Sequence, residues 1–365
     1  MQINATITGI EYKPLLVNEL ENIEFQNFDI NTCPTSCVVF DKNMKFAISK
    51  WVSPKRTRSY PYERVYNTLG RSKKITIIPI IKDEGLDGDR DFIQWDTLSL
   101  MSLLDVYVIL AYYYNAEKNT NYDNKITNQL FNNENVLNKI QEISTYHSSA
   151  LHWNLKELKE NFVPLILKVK ENYHKISQMV NVQMHSEKGI ETFQEKINEN
   201  LNAFMVFSRQ KAKEAQNREF VTQQPKESLQ TLTKAKITIT NYLGGQYFFT
   251  VDEIEINNLK LKLIEAKHSS SSSLPSINDI KDGLLKMILY TNLKEVQIKD
   301  QQYEIKPVLL LTSTKLKTEI DSYANSQEIE SFYKNNNLNA KNNNLIKALF
   351  KEAKANNFLV SIRNG

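Results

Sequence analysis

The chain has 365 residues, of which 41% are hydrophobic and 24% charged, a balance that excludes disordered and fibrous classes and fits a folded globular protein. That length accommodates two or three packed units, one of which can be a complete catalytic core. A net charge of +4 spread over 46 Lys and Arg residues permits a polyanionic partner through local basic surface without requiring one.

Residues 1–97 alternate β-like runs, such as Cys37-Val38-Val39-Phe40 and Ile75-Thr76-Ile77-Ile78, with polar turns, and are read as an N-terminal mixed α+β region. Cys33 and Cys37 have no second Cys or His pair nearby to complete a zinc site, so reduced thiols are expected. The start Met1-Gln2-Ile3-Asn4 lacks the basic head and apolar run of a secretory signal, which leads to the expectation of a cytoplasmic protein. The apolar stretch Leu98 to Tyr114 is short for a bilayer and carries Ser99, Ser102 and Asp105, so a buried helix is expected there and no membrane partner. From residue 98 to 222 apolar residues recur at helical spacing, as in Leu155, Leu158 and Phe162, and predict a helical region.

Residues 223–365 return to β-like patterning. Strands are predicted over Ala235–Thr240, Gln246–Val251, Leu259–Ala266 and Ile305–Leu311, a helix over Ile277–Asn292, and a helical, lysine-rich extension over Gln327–Asn357 ending in a short strand at Phe358–Ile362. Ser269 to Ser273 read as a mobile loop. The order is strand, strand, strand, helix, strand.

The residues that carry chemistry lie on this pattern. In Val251-Asp252-Glu253-Ile254-Glu255-Ile256, alternation lets Asp252 face a cleft while its neighbours pack. Asn257-Asn258 then provides a turn, and the returning strand Leu259–His268 places Glu265 and Lys267 on one face, two residues apart. Hairpin pairing brings the three side chains together. Two carboxylates on rigid strands can hold a divalent cation, with the main-chain carbonyl of Ala266 as a further oxygen ligand. Such an ion can promote phosphodiester hydrolysis, with a neighbouring ammonium offsetting developing charge. The competing reading is an exposed hairpin with a surface ion pair, worth little to stability.

An acid, a hairpin and then Glu-X-Lys resemble the PD-(D/E)XK nuclease superfamily over roughly residues 187–312. The resemblance implies a mixed α/β fold in which a central mixed β-sheet is flanked by helices, with a core helix beginning near residue 187. It implies Mg²⁺ as cofactor, Asp252, Glu265 and Lys267 as catalytic residues, and Asp252, Glu265 and the Ala266 carbonyl as metal ligands. Val251 stands where many members have proline. A further acid from the preceding helix is available in Glu187, Glu191 or Glu195.

Trp51 to Tyr66 interleaves cations, hydroxyls and aromatics, a composition suited to phosphates and base edges. Lys55, Arg56, Arg58, Arg64, Arg90 and His268 are therefore the candidate DNA contacts. The dense polar cluster Lys82–Asp91 lacks the spacing of a calcium loop and is read either as a turn with internal ion pairs or as a specificity element. The combined expectation is a bacterial type II restriction endonuclease acting on double-stranded DNA, with a homodimer matching a palindromic target and a companion methyltransferase for the same site. The alternatives are a repair or antiphage nuclease with the same site, and a non-enzymatic DNA-binding protein.

Overall fold

The computed structural model describes residues 1–55, 61–71, 73–199, 234–241, 243 and 245–365, with 205–206, 208–210, 213–214 and 216–217 between them. The chain is mixed α/β, with several mixed sheets and flanking helices, and it divides into two compact units: Met1–Asn18 with Lys211–Gly365, and Glu19–Gln210.

The first unit carries the candidate site. One of its sheets has the order Gln246–Val251, Ala235–Asn241, Gln2–Ile7, Lys294–Ile298, Gln301–Gln302. Ala235–Asn241 buries every second residue, Ala235, Ile237, Ile239 and Asn241, the period expected of a strand with one face in a core. The N-terminal strand lies parallel to it, Ile3 opposite Ile237. The first eighteen residues thus belong with the C-terminal unit and not with the N-terminal region expected over 1–97. A buried carboxylate reinforces that return: Glu352 accepts from the Tyr12 hydroxyl at 2.7 Å and from the amides of Leu15 and Leu16 at 2.9 and 3.0 Å.

The second sheet of this unit has the order Glu253–Asn257, Lys260–Ser269, Glu304–Ser313, Leu359–Arg363, Ile320–Asp321. Its first two strands form an antiparallel hairpin, turned at Asn258, which adopts φ 54°, a left-handed conformation that asparagine tolerates. Lys260–Ser269 then runs parallel to Glu304–Ser313 over its whole length. Parallel neighbours need a crossover, and the helix Ile277–Tyr290 supplies it, packing on both strands. Ser276 caps that helix by accepting from the Asp279 amide at 3.1 Å. Ile280, Leu284, Met287 and Ile288 are buried, the apolar stripe that the sequence spacing predicts. Two helices, Ser326–Asn335 and Ala340–Ala355, fill the lysine-rich extension and lead into the strand Leu359–Arg363. The serine run is held in place: Ser313 donates to the Ser272 carbonyl at 2.5 Å and Thr314 to that of Ser270 at 3.1 Å.

In the second unit a five-stranded sheet has the order Asn22–Glu24, Ser36–Asp41, Met44–Lys50, Lys74–Pro79, Tyr107–Ala111. The helical reading of 98–222 is corrected here. The helix Trp95–Leu103 stops before Asp105, at φ 54°, and Tyr107–Ala111 follows as a fully buried strand, with hairpin strands at Tyr113–Lys118 and Ile126–Phe131. A strand buried on both faces shows no alternation, so its apolar run is indistinguishable from a buried helix by period. Trp153 and Asn154, on the helix Ala150–Lys156, cover its edge: the indole donates to the Val108 carbonyl at 2.8 Å and the Asn154 side-chain Oδ1 accepts from the Val108 amide at 2.7 Å, satisfying groups that an edge otherwise leaves open. The expected core helix near 187 is Lys188–Glu199, which belongs to this second unit, where Phe193 packs on Phe92 and Phe162.

Gly283 sets how closely the crossover helix approaches the strands. A Cβ there would lie 2.8 Å from Leu309 Cδ1 and 3.3 Å from Lys267 Cε. Gly283→Val is expected to cost about 1–3 kcal/mol by overpacking, whereas in Gly283→Ala the gain of roughly 1 kcal/mol in helix propensity offsets the contact. Urea unfolding of both variants checks this, and a valine variant as stable as the parent contradicts it.

Candidate active site

Asp252 sits where the chain passes from one sheet to the other. Val251 still pairs with Ala235, and Glu253 already pairs with Ile264. The residue between them belongs to neither ladder, which frees it to turn, and its Oδ2 accepts from the Ala266 amide at 2.9 Å. The hairpin pairs its neighbour Glu253 with Ile264, and the bond to the Ala266 amide then holds the Asp252 carboxylate beside the residue that follows Glu265.

Glu265 is 1% exposed. Its Oε1 lies 3.0 Å from Lys267 Nζ and its Oε2 lies 2.8 Å from Lys286 Nζ, while Lys267 reaches on to Asp282 Oδ2 at 3.3 Å. The structure therefore brings Asp252, Glu265 and Lys267 together as expected and adds Asp282 and Lys286 from the crossover helix. These two were missed in the sequence. The available signal was a pair of opposite charges, Asp282 and Lys286, one turn apart in the run Ile280–Tyr290, whose one other charge is Lys281, a spacing that places the pair on one helix face. A surface ion pair is excluded as the account of Glu265, because a carboxylate this buried costs several kcal/mol unless compensated.

The electrostatics follow from that crowding. Burial raises the Asp252 carboxyl to about 7, with the Glu265 charge pushing the same way and Lys286 pulling against both. Burial also pushes Glu265 up, but Lys286 and Lys267 outweigh it and hold the group below the usual carboxylate range. Asp282 is raised by burial. Burial alone lowers the two lysines, yet the Glu265 charge leaves both above their ordinary value. Opposed shifts in adjacent carboxyls are a mark of functional clusters.

The fit to a divalent cation rests on oxygen donors and charge. Among the described residues no group of three or more His, Cys, Asp or Glu side chains is arranged to hold a metal by itself. Asp252 and Glu265 are two such donors. Within an extended strand the N–H and C=O of one residue share an edge, so the Ala266 amide that reaches Asp252 places the Ala266 carbonyl on the same side, beyond the last hairpin pair. Three oxygens with the rest of the shell left to water suit Mg²⁺. When ionised, Asp252, Glu265 and Asp282 outnumber Lys267 and Lys286 by one charge, which favours an added cation.

The candidate DNA contacts divide differently. Arg56 and Arg58 lie outside the described residues. Lys55 is exposed. Arg64 is buried and gives Nη1 to the Lys50 carbonyl at 2.6 Å, so its guanidinium is spent inside its own unit and the reading of it as a contact is corrected. Arg90 is likewise committed, to the Ser186 carbonyl at 2.8 Å, to Asp83 at 3.7 Å and to the Phe92 ring. His268 is exposed, with Nδ1 2.9 Å from Thr312 Oγ1. The polar cluster Lys82–Asp91 is a hairpin with internal ion pairs, Lys82 to Glu84 at 3.0 Å and Arg90 to buried Asp83 at 3.7 Å, and His185 Nδ1 lies 2.8 Å from Asp83 Oδ1. Glu187 and Glu191 pair with Lys170 in the second unit, and Glu195 is exposed. A cavity of about 470 Å³ in that unit is lined by Lys50, Lys82, Glu84, Tyr113, Lys125 and Phe131 among others, and none of the site carboxylates borders it.

No family model, curated protein or solved structure matches this chain. Its chemistry is therefore argued from the residues alone.

Asp252 yields a stability prediction whose sign can be worked out. Its folded pKa of about 7 lies above the unfolded value of about 3.9, so between those values the folded state holds more protons and stability falls as pH rises. Asp252→Asn removes the effect and keeps an acceptor for Ala266. In EDTA the variant is expected to match the parent near pH 4 and to exceed it at pH 8 by on the order of 2 kcal/mol, allowing for partial exposure. Equal unfolding curves at both pH values contradict it.

Proposed function

We propose that this protein is a Mg²⁺-dependent DNA endonuclease of the PD-(D/E)XK type, and specifically a sequence-specific type II restriction enzyme. The observation that carries the proposal is the convergence of Asp252, buried Glu265 and Lys267 at the end of a hairpin whose second strand is joined to a parallel neighbour by a connection that contains the helix Ile277–Tyr290 and two strands of the other sheet. A protein with no use for charge there would extend Leu263-Ile264 with another apolar residue. It places instead five ionisable groups around one carboxylate-rich edge, two of them from the crossover helix.

Asp252, Glu265 and the Ala266 carbonyl would hold the ion. When bound, Mg²⁺ supplies polarisation of a phosphoryl oxygen and acidification of a coordinated water. Lys267, fixed between Glu265 and Asp282, orients the attacking water and offsets negative charge that grows on the phosphate, a contribution that is large where bulk water is excluded. Asp282 acts on substrate only through Lys267 and is a positioning residue. The second unit, Glu19–Gln210, gives the chain far more surface than hydrolysis requires, which supports selection of a target sequence. Lys55, Arg56, Arg58 and His268 remain the candidate DNA contacts. A homodimer on a palindromic duplex, and a methyltransferase acting at the same site in a bacterial cytoplasm, complete the proposal. Among the described residues no helix is long and apolar enough to cross a membrane.

Incubating the protein with plasmid DNA and Mg²⁺ and mapping the ends tests this reading. Discrete fragments with a common terminal sequence are expected. Asp252→Ala, Glu265→Ala and Lys267→Ala should each lower the cleavage rate about a thousandfold while retaining DNA binding. Unselective or end-initiated degradation favours a repair or defence nuclease, and full activity in any one variant removes that residue from the site.

A further inference from the structure

Both oxygens of Glu265 are already engaged, Oε1 by Lys267 and Oε2 by Lys286. Each oxygen keeps a further lone pair, but a divalent cation drawn to Glu265 Oε2 meets the Lys286 ammonium 2.8 Å from that oxygen and competes with its charge. The two lysines are not equivalent. Lys267 shares its charge with Asp282 at 3.3 Å and stands on the same strand as Glu265, so its position is set by the pleat. Lys286 comes from the crossover helix, and its charge is felt by Asp252 as well as Glu265. It pairs with Glu265 at 2.8 Å and acts on Asp252 only through its field.

We propose that Lys286 is a built-in stand-in for the metal: its ammonium neutralises buried Glu265 in the metal-free protein, and a divalent cation shared with Asp252 binds by displacing it. The proposal rests on the reading of Asp252 and Glu265 as metal ligands. Three features of the cluster support displacement over a permanent structural pair. The carboxylates exceed the ammonium groups by one, so exchange of a single charge for a double one improves the balance. The Lys286 side chain is 15% exposed while Glu265 is 1% exposed, so the lysine has a path towards solvent and the carboxylate has none. Asp282 lies one turn before Lys286 on the same helix, at a spacing that gives a displaced ammonium a new partner. A four-carbon stem makes that swing accessible, and the second oxygen of Asp282 can receive Lys286 while Oδ2 keeps Lys267 in place.

The consequence is a site that stays assembled without metal and binds metal weakly, because each ion must outcompete a resident cation. Isothermal titration of Mg²⁺ into the full chain at pH 8, without DNA, tests it on the parent, Lys286→Met and Lys286→Arg. Removing the competitor is expected to tighten Mg²⁺ binding at least about tenfold in Lys286→Met, equivalent to about 1.4 kcal/mol, and to leave Lys286→Arg as weak as the parent. Thermal melting supplies a second readout: metal-free Lys286→Met melts below the parent, and Mg²⁺ closes the gap. If Lys286→Met fails to fold in chelator, recovery of the folded state by Mg²⁺ supports the proposal and failure to recover overturns it. Parent binding with equal or weaker affinity in Lys286→Met overturns the displacement role and leaves the ligand assignment standing. Absence of any Mg²⁺ binding to the parent, or binding that survives in both Asp252→Asn and Glu265→Gln, overturns the ligand assignment and the proposal with it.

Discussion

A carboxylate sealed from water at the end of a strand is the constraint from which the rest of the C-terminal unit can be understood. Glu265 follows Leu263 and Ile264 without a turn and is as inaccessible as they are. In that position an unpaired charge costs several kcal/mol, so the fold must deliver compensation from other elements. Two ammonium groups supply it, one from the same strand and one from the helix that follows. Asp252 is added to the same pocket, and its burial, with the Glu265 charge pushing the same way, raises its carboxyl to about 7. The cluster is short of positive charge by design of its geometry, and a divalent cation is the chemistry that such a deficit accepts most readily.

The surrounding architecture serves that cluster. A strand that changes sheets at Asp252 frees one side chain from two ladders. The crossover required by parallel pairing places Asp282 and Lys286 over the end of the strand that bears Glu265 and Lys267. Gly283, between them, permits the helix to come close enough for the lysine stem to lie against it. Rigid elements hold the groups that would meet substrate, and this precision is what transition-state stabilisation requires.

Much of this unit was legible from local pattern. The alternation in Ala235–Thr240, the turn at Asn258, the strand that carries Glu265-Ala266-Lys267 and the helical stripe from Ile280 to Ile288 each express a period or a turn chemistry that operates within a few residues, although Ile277, expected on that stripe, is exposed. What was not legible depends on distant pairing. Nothing in Gln2–Ile7 announces a parallel partner at residues 236–241, so the N-terminal segment was assigned to the wrong unit. Tyr107–Ala111 is buried on both faces and therefore carries no alternation. Arg64 looked like a base-reading cation because a sequence shows a charge and not its burial. Asp282 and Lys286 were visible as a charged pair in an apolar helix, but only the crossover brings them to Glu265. Where the structure departs from the sequence reading, tertiary contact is the cause in each case.

The central claim is that Asp252 and Glu265 share a divalent cation. Diffraction from crystals of the full chain grown with Mn²⁺, recorded at a wavelength where manganese scatters anomalously, tests it most directly. The account predicts one strong anomalous peak between the two carboxylates and against the Ala266 carbonyl, with Lys286 Nζ drawn away from Glu265. A saturated crystal with no peak there, and with Lys286 still paired to Glu265, contradicts it.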